Sequence, residues 1–168
     1  MNRKIRMPLI LLALCLLTGF SVNDKFEPET QYQPLLLSRT DLAGSVFFQP
    51  ARDFTNPGKI YLYGDTIFIV DLYKGIHVID NSTPATPRKT SFIHIPGVMD
   101  LAVKKSVLYA DNAVDLVAIN LKVYPQISIL DRVSDVFPEP TPPDLDYIPA
   151  VFSSNKRPKN TVIVGWVK

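Results

Sequence analysis

Two histidines, His77 and His94, are the only imidazoles in the 168 residues, and they set how much acid–base chemistry the chain could carry. No HxxxH, HExxH or paired-cysteine spacing accompanies either, so the sequence does not support a zinc site. Each falls within an expected strand, where a partly exposed histidine is the preferred reading, and use of either as a general base is the enzymatic alternative. Asp71, Asp80, Asp111 and Asp115 stand at expected strand ends. A calcium loop needs several oxygens converging in one short run such as D-x-D-x-D-G, which is absent, so these carboxylates are expected to bond turn amides. Ser128, Ser153 and Ser154 lack the G-x-S-x-G frame of a nucleophile elbow, and the seven glycines form no phosphate-cradling loop. Tyr61, Tyr63, Phe68, Tyr73 and Tyr109 could line a sugar or peptide surface, although strand aromatics more often pack across strands. No catalytic, cofactor-binding or metal-binding residue is assigned.

The elements that must position these side chains begin after an N-terminus read as an export signal. Arg3, Lys4 and Arg6 precede the apolar run Met7–Leu17, and Gly19 and Ser21 fit the small-residue cleavage positions. An apolar run of this length is far short of the roughly 20 residues that cross a bilayer. Cys15, the single cysteine, lies inside the apolar run behind a bulky Leu14, while Leu17-Thr18-Gly19 leads to Phe20 where a lipid-accepting cysteine would stand. Removing residues 1–21 takes away three of the 18 basic residues, leaving 15 against 16 acidic ones, a net charge of −1. That balance gives no basic surface for nucleic acid, and the Lys156, Arg157 and Lys159 group reads as a solvated loop.

Residues 22–37 are polar and punctuated by proline, as expected of a flexible tether. Ser38 with Asp41 three residues on predicts an N-cap and a short helix over Arg39–Ser45, packing Leu42 and Val46 on a sheet. Strands are expected at Lys59–Tyr63, Thr66–Asp71, Gly75–Asp80 and Arg88–Ile95, with Gly64-Asp65 as a tight hairpin. The pattern then repeats at an offset of 41 and later 40 residues: Ile60 aligns with Leu101, Phe68 with Tyr109, Ile76 with Leu116 and Ile79 with Ile119. A period near 40 with about four strands is the mark of a propeller blade. The continuous runs Ile67–Val70 and Leu116–Ile119 predict strands covered on both faces. Phe137–Pro149 holds five prolines and reads as an extended, semi-rigid linker within 134–160, before a last strand at 161–168.

Gly75-Ile76-His77-Val78-Ile79-Asp80-Asn81-Ser82, followed by Pro84 and Pro87, resembles the LVIVD-repeat family over about residues 56–133. The second copy matches through Leu108-Tyr109-Ala110-Asp111 and Leu116-Val117-Ala118-Ile119-Asn120, with Asn in place of Asp and without the Ser and first Pro. The resemblance implies an exported bacterial protein of the Bacteroidetes lipoprotein type with a β-propeller-like fold, and no common activity. The expected architecture is therefore all-β: two propeller-like blades of about four antiparallel strands each, an incomplete propeller with one short N-terminal helix. The repeat domain spans 38–133, with repeat 1 at about 58–97 and repeat 2 at about 98–133. Two blades leave a face and an edge open. Truncation of a longer relative is the first-ranked account, ahead of homo-oligomerisation through the exposed blade face and of capping by the helix and final strand. The expected role is an envelope-associated module, in the periplasm, outer membrane or cell surface, binding a protein or glycan and touching the membrane, if at all, through its N-terminus. A periplasmic enzyme and a non-functional remnant are the alternatives.

Overall fold

Alternating and continuous apolar runs of six residues favour strands over helices here, and the computed structural model, which describes residues 29–126 and 128–168, is almost entirely β. The expected export signal, with Cys15 and Phe20, lies outside the described residues. Blade 1 is a five-stranded antiparallel sheet: β2 (Phe47–Pro50), β6 (Arg88–His94), β5 (Gly75–Asp80), β4 (Thr66–Asp71) and β3 (Pro57–Tyr63), in that spatial order. Blade 2 is a four-stranded meander of β7 (Leu101–Lys104), β8 (Val107–Asn112), β9 (Asp115–Asn120) and β10 (Ile129–Val133). The repeat thus builds two propeller-like blades, as expected. Strand β2 was not anticipated: Phe47-Phe48-Gln49-Pro50 is too short to show a period, and it is a strand because β6 offers it an unpaired edge.

The blades stack through one core. Phe68, Val70, Ile76, Val78 and Ile93 of blade 1 meet Leu101, Val103, Leu108, Val117 and Ile119 of blade 2. The first strand of each blade lies beside the other, with the Tyr61 hydroxyl donating to the Val103 carbonyl at 3.1 Å and Tyr63 Oη accepting from Ser106 N at 3.0 Å. The chain crosses between blades in a narrow passage. Tyr73 N bonds Val98 O, and a Cβ on Gly97 would stand 2.6 Å from Ala113 Cα, so the positive φ and missing side chain of that glycine are both needed.

Burial on both faces, expected of Ile67–Val70, is not found there, since half-buried Ile67 and Ile69 alternate with buried Phe68 and Val70; it holds instead for β5, where Gly75 to Ile79 are all buried. It fails for β9, which alternates buried and half-buried residues. The apolar open face of β9 is only partly roofed.

Two expectations about the flanks are corrected. The tether over 22–37 is in part a strand, β1 (Gln33–Ser38), antiparallel to the C-terminal strand β11 (Thr161–Val167); residues 22–28 lie outside the described residues. Leu35-Leu36-Leu37 is too short and too uniform to show a period, and the strand forms because β11 lies beside it. The helix α1 (Arg39–Ala43) is shorter than expected, with Ser38 Oγ accepting from Asp41 N at its start and Gly44 at its end. Leu42 and Val46 are buried as expected: Leu42 packs with Val114, Val162 and Val164, and Val46 joins the inter-blade core. The small β1–β11 sheet and α1 therefore lie across the ends of the blades, against the β8–β9 turn and, through Gly165, against Tyr73.

Residues 134–160 are likewise not a free linker. Proline fixes their extended course, but hydrogen bonds bind them down as a strap: Phe137 N to Val114 O, Ile163 N to Glu139, Trp166 Nε1 to Pro140 O and Gln31 N to Asp144. A single 3₁₀ turn, Ala150–Phe152, sets Phe152 edge-on to Trp166. Among the described residues no helix is long and apolar enough to cross a membrane.

Candidate functional site

Two polar clusters stand at corresponding strand ends of the two blades, and a groove lies on blade 2. In blade 1, β4 ends on Asp71 and β5 carries His77; adjacent antiparallel strands bring both onto the sheet face turned away from blade 2. Both side chains are fully buried, with His77 Nε2 3.3 Å from Asp71 Oδ2. The partly exposed histidine expected from sequence is thus a sealed one, because Phe54 and Phe92 close over its ring at 4.2 and 4.8 Å. Asp71 also accepts from Thr55 N, Thr55 Oγ1 and Asn56 N, at 2.7 Å from the last. Burial alone would raise the Asp71 carboxyl, but these hydrogen bonds from Thr55, Asn56 and His77 outweigh it and hold it below the ordinary value. The ionised carboxylate only accepts, so the His77 proton sits on Nε2 and Nδ1 is left without a partner among the described residues. Burial depresses the His77 imidazole, against the opposing pull of Asp71.

Chemically this is a staple and not a catalytic triad. The Thr55 hydroxyl bonds the carboxylate instead of the imidazole, so His77 has no nucleophile to deprotonate, and its buried ring is out of a substrate's reach. His94 is half-buried as expected. Its Nδ1 pairs with the Ser45 carbonyl at 2.9 Å, and its ring stacks on Phe47.

At the corresponding end of blade 2 stands Asn112, buried, donating to Pro96 O at 2.7 Å and accepting from Arg132 at 2.8 Å. Beside it Asp115 takes Arg132 at 2.9 Å and Arg39 at 3.1 Å, with Arg39 also reaching Asp135. Of the four aspartates expected to bond turn amides, Asp80 and Asp111 do so, through Ser82 N and through Met99 N and Asp100 N. Asp71 does so through Thr55 N and Asn56 N and adds His77, and Asp115 accepts from Asp135 N beside its two ion pairs. The expected solvated cluster holds for Lys156 and Lys159, which are exposed, and is corrected for Arg157, whose side chain is 4% exposed and holds Glu139 through two parallel bonds. Ser153 Oγ bonds Ala150 O, with no imidazole beside it. Among the described residues no group of three His, Cys, Asp or Glu side chains is placed to hold a metal ion.

The groove lies on the open face of blade 2. It encloses about 540 Å³ between Ala102, Tyr109 and Leu116 on the sheet, Met99 at one end and the strap residues Phe137 and Pro140. Of the five aromatics singled out from sequence, only Tyr109 faces it; Phe68 is core, Tyr61 and Tyr63 pack on the core, and Tyr73 lies beneath Gly165. Three carboxylates touch the groove, and each is already engaged. Asp100 pairs with Lys59 at 2.5 Å, Asp111 holds two backbone amides, and Glu139 holds Arg157 and Ile163 N. Burial raises the Asp111 carboxyl, with the Asp100 charge adding to it. The strap wall was invisible to sequence reasoning because nothing local in Phe137–Thr141 says where the segment docks.

Comparison of the chain with protein-family models, with curated proteins and with solved structures returns no match.

Proposed function

We propose that this chain is a non-catalytic protein-interaction module, exported and envelope-associated as the N-terminus and the LVIVD-like repeats lead one to expect, which takes an apolar segment of a partner protein into the blade 2 groove. The observation that carries the reading is the composition of the groove: its walls are chiefly Ala, Tyr, Leu, Met, Phe and Pro, with Thr141, while its three carboxylates are committed to protein donors, Lys59 among them. A sugar needs free donors and acceptors to replace its hydration, and few remain here, which favours protein over glycan. Apolar side chains need only surface to bury, at roughly 25 cal/mol per Å².

The test uses anilinonaphthalene sulfonate, an apolar fluorescent dye, as the probe. Saturable binding of one dye per chain is expected, lost in Ala102→Trp, which fills the groove, with an unchanged melting temperature. Undiminished dye binding by a folded Ala102→Trp protein would overturn the groove as the binding site.

A further inference from the structure

The repeat does more than duplicate a blade, because it also duplicates an interface. Tyr61, Phe68, Ile76 and Val78, which face blade 2 across the core, correspond under the 41- and 40-residue offsets to Ala102, Tyr109, Leu116 and Ala118 on the open face of blade 2. In the other direction, Leu101, Val103, Leu108 and Ala110, which blade 2 turns toward blade 1, correspond to Ile60, Leu62, Ile67 and Ile69. Those four are cross-strand neighbours, Ile60 with Ile69 and Leu62 with Ile67, on the open face of blade 1. Ile60 and Leu62 are 66% and 62% exposed, and Ile67 and Ile69 are half-buried. The molecule therefore makes one blade-on-blade interface and, among the described residues, presents both of its halves a second time with no blade opposite, that of blade 2 only partly roofed by the strap.

The sizes match across these unfilled halves. Relative to the packed interface, the open face of blade 2 has lost volume, Ala102 for Tyr61 and Ala118 for Val78. The open face of blade 1 has gained it, Leu62 for Val103 and Ile69 for Ala110. The lost tyrosine is what hollows the groove, and the larger aliphatics form the ridge opposite. Both faces are open along the same part of the blade, the first two strands, which is also where β3 and β7 touch within the chain.

We propose that the occupant of the groove is a second copy of this chain, whose Ile60–Leu62 ridge seats against Ala102 and Tyr109 and repeats the internal interface head to tail. The inference rests on the groove reading above and names its partner. Such an interface is heterologous: each copy contributes one face as donor and the other as acceptor.

Solution mass of the purified protein across a concentration series tests this, with Leu62→Lys closing the ridge and Ala102→Arg closing the groove. Wild-type mass is expected to rise beyond the monomer with concentration, while each variant alone stays monomeric. A 1:1 mixture of the two variants is expected to give a mass of two chains and no larger species, since it contains one intact ridge and one intact groove. Both substitutions fall at exposed positions, and dye binding by Leu62→Lys confirms that its groove is formed; Ile60→Lys substitutes for it should it fail to fold. Monomeric wild-type protein that still binds dye would overturn the homotypic partner and leave the groove reading standing. Monomeric, folded Leu62→Lys protein that binds no dye would remove the groove itself, since no second copy occupies it there. Assembly broken by Leu62→Lys alone, with Ala102→Arg without effect, would also overturn the head-to-tail arrangement.

Discussion

Blade 1 and blade 2 follow the same strand script but close their ends with different chemistry. Where β4 ends in Asp71, β8 ends in Asn112, and each draws distant backbone onto the sheet: Asp71 the 55–56 loop, Asn112 the Pro96 carbonyl. At the start of the next strand, blade 1 has Gly75 where blade 2 has Asp115. A side chain at Gly75 would meet Ile93 O at 2.1 Å, so β5 and β6 close tightly there. At Asp115 the sheet instead admits a carboxylate flanked by Arg132 and Arg39. The difference teaches that the repeat specifies strand pairing, while the ends are free to be sealed by packing or by buried charge, whichever the surrounding segments supply.

That contrast can be broken most severely at the glycine. Gly75→Ala is expected to destabilise the protein by about 4–5 kcal/mol, at the upper end for single substitutions, because backbone must move to clear the new methyl. Chemical denaturation measures it, and a loss below about 1 kcal/mol would show that blade 1 is not closed as described. At the equivalent site in blade 2, Asp115→Ala should remove about 3 kcal/mol, since it leaves two guanidinium groups without their shared, buried counter-charge. A double-mutant cycle with Arg132→Met should recover much of that loss, which separates unpaired charge from lost packing.

A gentler test sharpens the comparison through pH. The native His77 value lies below the ordinary 6.5, so the unfolded chain binds the proton first and stability falls as pH drops below about 6.5. Asp71 is held below its ordinary 3.8, so its contribution is present above that value and is lost as pH falls through the depressed native one. Two acid steps are therefore expected, the first setting in below about pH 6.5 and the second below the ordinary carboxylate range. His77→Val, which installs the residue blade 2 carries as Val117, should flatten the slope that begins below about pH 6.5 while leaving the lower step. An unchanged slope would mean that the imidazole does not titrate with folding.

How far this was legible in the sequence follows from what each signal measures. The strand runs, the Gly64-Asp65 hairpin and the 40-residue repeat were readable because pairing between neighbouring strands is local, and β3 to β6 and β7 to β10 form as expected. Ser38 announced α1 through a three-residue pattern. What stayed hidden was decided by distant partners. Phe47–Pro50 is a strand only because β6 has an edge, and Gln33–Ser38 only because Thr161–Val167 lies beside it. Likewise, His77 reads as an exposed strand histidine until Phe54, 23 residues earlier, folds over it. Periodicity could not place the groove either, because one wall is sheet and the other is a proline-fixed strap.

The smallest expected effect tests the claim that the two faces are copies with opposite fates. Tyr61→Phe deletes the hydroxyl that bonds Val103 O while keeping the ring, so it should lower stability by about 1 kcal/mol. The reciprocal change, Ala102→Tyr, puts the blade 1 residue into blade 2, where the ring meets groove instead of core. It should therefore stay within about 0.5 kcal/mol of wild type. If the packed blade 1 face and the open blade 2 face differ only in what lies opposite, the two substitutions must differ in this direction. A loss from Ala102→Tyr as large as that from Tyr61→Phe would mean that the groove is already filled by the strap, and that blade 2 has no open face to offer.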